Sequence, residues 1–150
     1  MTGKRLGASA VIVNQGGAVL LVHHSYGRCN WELPGGAAEG HESIVETVLR
    51  EVQEETGLVV VAEAMTGIYY DAADDFLHFV FRCALRDPAA RPEPDGHEIT
   101  ACAYWSPERL PRPISDFTVQ RIRDALGGRQ MPLPTMIGPR RWLDEAAERP

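Results

Sequence analysis

The chain has 150 residues, 44% hydrophobic and 24% charged, a composition that fits one domain with a single sizeable core. A net charge of −6 excludes a general affinity for nucleic-acid polymers, which is driven by clustered Lys and Arg. A small phosphorylated ligand stays open, because bound cations reverse a local field. Cys29, Cys83 and Cys102 form no CxxC pair and no zinc-ligand spacing, and read as thiols of a reducing cytosol. The apolar stretch after Met1–Arg5 is too short for a membrane span and reads as a strand, not a signal peptide, so a cytoplasmic protein is expected.

Along the chain, Ala8–Val13 and Ala18–His23 are β-prone runs around the turn-forming Asn14-Gln15-Gly16-Gly17, which predicts an antiparallel hairpin. Tyr26–Ala38, with Gly27, Pro34, Gly35 and Gly36, reads as a loop. Glu42–Thr56 has helical periodicity in Ile44, Val48 and Val52, with Val45 and Leu49 beside them, and Gly57 at the stop position. Leu58–Met65, Ile68–Tyr70 and Phe76–Leu85 are strand-like, and Pro88, Pro92, Pro94 and Gly96 mark a loop. Thr100–Trp105 is a further strand, and Ser106-Pro107-Glu108 is suited to start one helical turn. Ser115–Leu126 predicts a second long helix, capped by Ser115 or Asp116, ended by Gly127-Gly128, with Val119, Ile122 and Leu126 toward the core. The tail from Arg129 is proline-rich and aperiodic. This order predicts an α/β sandwich around a mixed sheet.

On a helix turning about 100° per residue, Glu54 lies about −60° and Glu55 about +40° from Glu51. The three carboxylates share one arc beside the apolar one. Like charges at these spacings repel, and more strongly beside a buried face where screening is weak. A solvated acidic face is the plain alternative. Against it stands Trp31-Glu32-Leu33-Pro34-Gly35-Gly36, a rigid turn whose glycines bring main-chain groups close to a ligand. Mg²⁺ takes carboxylates together with phosphate oxygens and waters, so a helix edge of this kind is a platform for it. Arg50, at helical spacing from both Glu46 and Glu54, is placed to orient the carboxylates.

Gly36, Glu42 and Arg50-Glu51-Val52-Gln53-Glu54-Glu55-Thr56-Gly57-Leu58 fit the pattern GX5EX7REUXEEXGU, U being a bulky aliphatic, without a departure. Over residues 5–126 the chain resembles the Nudix hydrolases. The resemblance implies a single-domain α/β/α sandwich around a mixed β-sheet over 1–128, with 129–150 a tail packing on the domain or on a partner subunit. It implies metal-dependent hydrolysis of a phosphoanhydride in a nucleoside diphosphate linked to another moiety, with Mg²⁺ as cofactor and Mn²⁺ a substitute. By the same resemblance Glu51, Glu54, Glu55 and the main-chain carbonyl of Gly35 are metal ligands, and Gly36, Glu42 and Arg50 brace the site. The base that deprotonates the attacking water is a box glutamate, Glu54, or one on a later loop, where Glu98 stands, with Glu93 a weaker candidate.

Among other residues, Arg28 near the glycine loop is a candidate phosphate contact, with a solvated loop charge as its alternative. Tyr69, Tyr70 and Phe76 are candidates for stacking a base, although strand aromatics are more often core. His97 adjoins Glu98 and could touch substrate; His23 and His24 lack a zinc partner and read as structural. The proline that marks relatives acting on ADP-ribose and the tyrosine of those acting on dinucleoside polyphosphates are both missing, Ala72-Ala73-Asp74-Asp75 standing near the first position. That favours a nucleoside triphosphate or another nucleotide outside those two classes, and names no base. The competing function is a non-catalytic module on the same fold that senses a nucleotide or nucleotide sugar. Partners are expected to be a small nucleotide and a second copy in a homodimer, with no nucleic-acid polymer and no membrane.

Overall fold

The computed structural model describes residues 3–143. Its elements are β1 (Arg5–Ile12), β2 (Val19–His24), β3 (Trp31–Glu32), β4 (Gly35–Ala37), α1 (Ile44–Thr56), β5 (Val60–Asp71), β6 (Phe76–Leu85), β7 (Ile99–Trp105) and α2 (Asp116–Leu126). They form a mixed four-stranded sheet in the order β4-β1-β6-β5 and an antiparallel three-stranded sheet in the order β3-β2-β7.

Alternation along the strands sorts the core into two clusters. Ala8, Ala10 and Ile12 of β1, Leu20 of β2 and Phe81 and Cys83 of β6 pack with Val48 and Val52 of α1. Val11, Val19, Leu21 and Val80, the intervening side chains, pack with Leu33 and with Ile122 and Ala125 of α2. The sheet layer therefore lies between the two helices, the α/β/α arrangement expected.

Several local expectations are corrected. β1 and β2 are joined by the expected turn, closed by Gly17 N–H to Asn14 O at 3.0 Å, but they pair only at the bridge Val13–Val19. β1 gives its backbone edges to β4 and β6, and β2 to β3 and β7, so neither has a ladder left for a hairpin. The stretch read as loop, Tyr26–Ala38, contains β3 and β4. α1 begins at Ile44, not Glu42, because Ser43 accepts from the Glu46 N–H at 3.0 Å and Glu46 accepts from the Ser43 N–H at 3.2 Å, a capping box. Gly57 ends it in the left-handed region, at φ 73°. The two strand pieces after it are one strand, β5, continuous through two bulges. Ser106-Pro107-Glu108 forms a turn, not helix. Ser115 caps α2, whose buried face is Thr118, Arg121, Ile122 and Ala125, whereas Leu126 is exposed.

The tail is tied at its start by Arg129 to Asp124 at 3.1 Å and by a bridge between Met131 and Met65 on the outer edge of β5. Met136, Ile137, Trp142 and Leu143 beyond it are exposed; residues 144–150 of the expected tail lie outside the described residues. Among the described residues no helix is long and apolar enough to cross a membrane.

Candidate functional site

β4 runs antiparallel to β1, with Gly36 opposite Ala8 and Gly35 opposite Ser9, and α1 lies against it. Both glycines are required by close approach. A Cβ on Gly36 would stand 2.6 Å from Cδ and Oε1 of Glu51, and one on Gly35 would strike the Ala8 carbonyl oxygen and come 2.6 Å from Ser9 Cα. The Gly35 N–H donates to Glu55 Oε1 at 2.8 Å. The acidic edge of α1 is thus set directly on the glycine strand.

Arg50 organises that edge. It donates to Glu42 through Nε at 2.6 Å and Nη2 at 3.0 Å, to Glu51 Oε1 at 3.0 Å, to Glu54 Oε2 at 3.1 Å and to the Ala37 carbonyl at 3.1 Å. Glu46, its other possible partner, is engaged in the capping box. Hydrogen bonds from Arg50 hold the Glu42 carboxyl at about 2, against burial and with help from the Thr47 hydroxyl. Burial pushes Glu55 up to about 8; the Gly35 N–H opposes this, and Glu51, Glu98 and Asp95 add to it. Burial also raises Glu51, against the pull of Arg50, with Glu54 and Glu98 adding to the rise. Glu55 is 4% exposed, whereas the Glu54 side chain keeps 58% of its surface in solvent.

A family model described as NUDIX domain matches residues 3–124. The chain belongs to the NUDIX domain family. Relatives and neighbours in this Nudix hydrolase family carry names such as 8-oxo-dGTP diphosphatase and ADP-ribose pyrophosphatase. It is 32% identical to a MutT-like protein of Streptomyces ambofaciens over 120 residues, which is 80% of this chain and 75% of that protein. Among solved structures, a NUDIX hydrolase from Nitrosomonas europaea is similar with a TM-score of 0.71 and 28% identity, covering 87% of this chain and 94% of that one. An ADP-ribose pyrophosphatase from Streptococcus suis gives a TM-score of 0.71 and 25% identity, covering 84% and 92%.

Glu98 is exposed, and its charge adds to the rise of both Glu51 and Glu55. Its carbonyl accepts from the Ser25 N–H at 2.8 Å, and the Ser25 hydroxyl donates to the His97 carbonyl at 2.6 Å, so the loop is tied to the end of β2. Glu93 is tied by its N–H to the Thr56 carbonyl at 2.8 Å, with its side chain exposed. Arg28 is exposed and makes no ion pair among the described residues. His23 bonds the Thr100 hydroxyl at 2.7 Å and its ring lies 4.9 Å from that of Trp31.

The three aromatic candidates are not gathered on the carboxylates. Tyr69 donates to Asp124 at 2.5 Å and Tyr70 to Asp75 at 2.6 Å; both line a separate cavity of about 230 Å³ with Asp71 and Phe117. Phe76 packs on His78, centroids 4.4 Å apart. Sequence reasoning missed two features. Tyr26 stacks on His24 at 4.8 Å, and burial, followed by the charges of Glu55, Glu98, Glu51 and Glu32, raises its hydroxyl. A cavity of about 150 Å³ on the α2 side of β4 is lined by Glu32 and by the buried Arg121. An arginine on the face of α2 that carries Ile122 and Ala125 was the available signal.

Proposed function

We propose that this Nudix hydrolase cleaves a phosphoanhydride in a nucleoside diphosphate linked to a further moiety, with a nucleoside triphosphate as the favoured form, and needs a divalent cation to do so. The observation that carries this is the pair Glu51 and Glu55, two carboxylates seated on Gly35–Gly36, Glu55 buried and Glu51 partly so. Among the described residues no three such groups already converge as a metal cluster, and Arg50 Nη1 bridges Glu51 and Glu54. The donor set nevertheless fits Mg²⁺ or Mn²⁺. It is made of hard oxygens, its carboxyl groups outnumber the one cation, Arg50, set among them, and Glu54 is exposed enough to turn.

Glu51, Glu54, Glu55 and the Gly35 carbonyl are the proposed ligands, and Gly36, Glu42 and Arg50 their support. A cation there supplies charge neutralisation of the diphosphate and a more acidic water. Arg50, locked by Glu42, keeps Glu51 and Glu54 on one edge, and the close seat on β4 fixes the distance from carboxylates to glycine backbone. Glu98, on the tethered 95–98 loop, or Glu54 takes the proton from the attacking water. The three cysteines are unpaired, in keeping with a reducing cytoplasm.

The test is a panel of triphosphates, nucleotide sugars, ADP-ribose and dinucleoside polyphosphates with Mg²⁺, with Mn²⁺ and with chelator, products resolved. Triphosphate cleavage that stops with chelator is expected. Undiminished turnover in chelator, or tight binding of one nucleotide without its cleavage, overturns the reading.

A further inference from the structure

The cavity of about 150 Å³ beside β4 holds a charge pair, Arg121 buried and Glu32 23% exposed, that the hydrolytic chemistry does not use. Its floor is the backbone of Gly7, Ala8 and Ser9 on β1 with Gly35 and Gly36 on β4, and its walls are Glu32, Leu33, His78, Phe117 and Arg121. A Cβ on Gly7 would stand 2.5 Å from the Phe76 ring and 2.9 Å from the Gly36 carbonyl oxygen, so the floor admits only backbone there. Arg121 is 4% exposed. Its Nη2 donates to Glu32 Oε1 at 2.7 Å and to the Thr118 hydroxyl at 3.1 Å, its Nη1 to the Ser9 hydroxyl at 3.1 Å and its Nε to the Phe117 carbonyl at 3.4 Å. The Phe117 ring stacks on the guanidinium at 4.1 Å and meets the His78 ring edge-on at 5.0 Å.

The accounting leaves two positions open. A guanidinium has five N–H donors, of which one on Nη1 is unused among the described residues. Glu32 Oε1 takes Arg121, the Thr118 hydroxyl and the Leu33 N–H, whereas Oε2 accepts nothing among them. A brace between α2 and β3 needs no such surplus, since a buried ion pair is often no more stabilising than apolar packing of the same volume. Glu32, with an unused anionic acceptor, and Arg121, with an unused cationic donor, both line one cavity with an aromatic wall, and together match a flat ring that carries a donor beside an acceptor.

We propose that Glu32 and Arg121 read the base of the nucleotide and select a keto base (guanine, hypoxanthine or uracil type) over an amino base. The ring N–H of a keto base is a more acidic donor to Glu32 than an exocyclic amine, and its C=O a better acceptor for Arg121 than a ring nitrogen; both contacts are charge-assisted. Gly36 carries the base site over to the carboxylates, because it lines this cavity while touching the seat of Glu51. The proposal rests on the nucleotide reading above and adds the base to it.

The test measures dissociation constants of GMP, IMP and UMP against AMP and CMP by calorimetry in chelator, and kcat/KM of the five triphosphates with Mg²⁺. The keto set should be favoured by at least about tenfold, equivalent to about 1.4 kcal/mol. Glu32→Gln, which keeps a carbonyl for Arg121, should shrink that gap to about threefold or less, with folding checked by thermal melting. Equal binding of the two sets by the unaltered protein, no binding of any of them, or an undiminished gap in folded Glu32→Gln overturns the proposal. If no triphosphate turns over while the monophosphate preference is present and lost in Glu32→Gln, the hydrolase reading fails and this one stands.

Discussion

Glu42→Gln tests the support of the acidic edge without touching a proposed ligand. Glu42 accepts from Arg50 at 2.6 and 3.0 Å, from the Thr47 hydroxyl at 2.7 Å and from the Glu39 N–H at 3.1 Å, and only 13% of its side chain is exposed. Its carboxyl lies at about 2 against an ordinary 4.5, and that difference corresponds to an upper limit of about 3 kcal/mol at pH 7. Solvent screening and the bonds Arg50 keeps to Glu51, Glu54 and Ala37 reduce it, so a loss of about 1–2 kcal/mol is expected, or roughly 3–6 °C in Tm. The sign follows from the depressed value. The fold favours the ionised form, so the contribution is complete above pH 4.5 and drains as pH falls toward 2. Urea unfolding of both proteins between pH 7 and pH 3 should show the gap at neutral pH and less than half of it at pH 3. A gap that is absent at pH 7, or constant down to pH 3, would refute the assignment of Arg50–Glu42 as the brace.

Gly36→Ala and Gly35→Ala should part company. The first meets the flexible end of Glu51, so Tm should hold within a few degrees while metal-dependent turnover falls at least about tenfold, the usual scale for a displaced ligand or its support. The second meets the β1 backbone and should cost about 2–3 kcal/mol of stability or more, seen in the urea midpoint. Glu98→Gln should lower kcat by about a hundredfold or more and leave the Mg²⁺ concentration for half-saturation nearly unchanged; unchanged kcat removes it as the base. Glu55→Gln should abolish turnover and the rise in Tm produced by Mg²⁺. Because burial raises Glu55 to about 8, its ionisation opposes folding as pH rises from 4.5 through 8, so in chelator at pH 8 the variant should melt above the parent. A lower melting point there would contradict the buried-carboxylate argument.

What the sequence revealed follows how local the determinants are. α1 was legible because its cap, its apolar stripe and its terminating Gly57 all lie within one short stretch, and the wheel placed Glu51 and Glu55 on one edge without any partner. The wheel could not say that Glu55 would be buried and Glu54 exposed, since that depends on where β4 lies. The hairpin of β1 and β2 failed for the same reason. Its turn chemistry is local and correct, but strand partners are chosen by the whole sheet, and β6 and β7, far along the chain, take the edges that a hairpin would have used.

The same distinction separates the two halves of the site. The box is a contiguous segment because its carboxylates must share one rigid helix edge, and a contiguous segment leaves a pattern that can be read. The proposed base site is assembled from Ser9, Glu32, His78, Phe117 and Arg121, drawn from β1, β3, β6 and α2, and its central pair is 89 residues apart. Each of those residues alone has an ordinary explanation; only the fold brings an unused donor and an unused acceptor together. The architecture thus keeps the bond-breaking edge on one element while the recognition surface is spread over four. Substitutions at Glu32 or Arg121 can therefore change which base is accepted without moving Glu51 or Glu55, because β4 is the wall the two halves share and its glycines contribute only backbone to both.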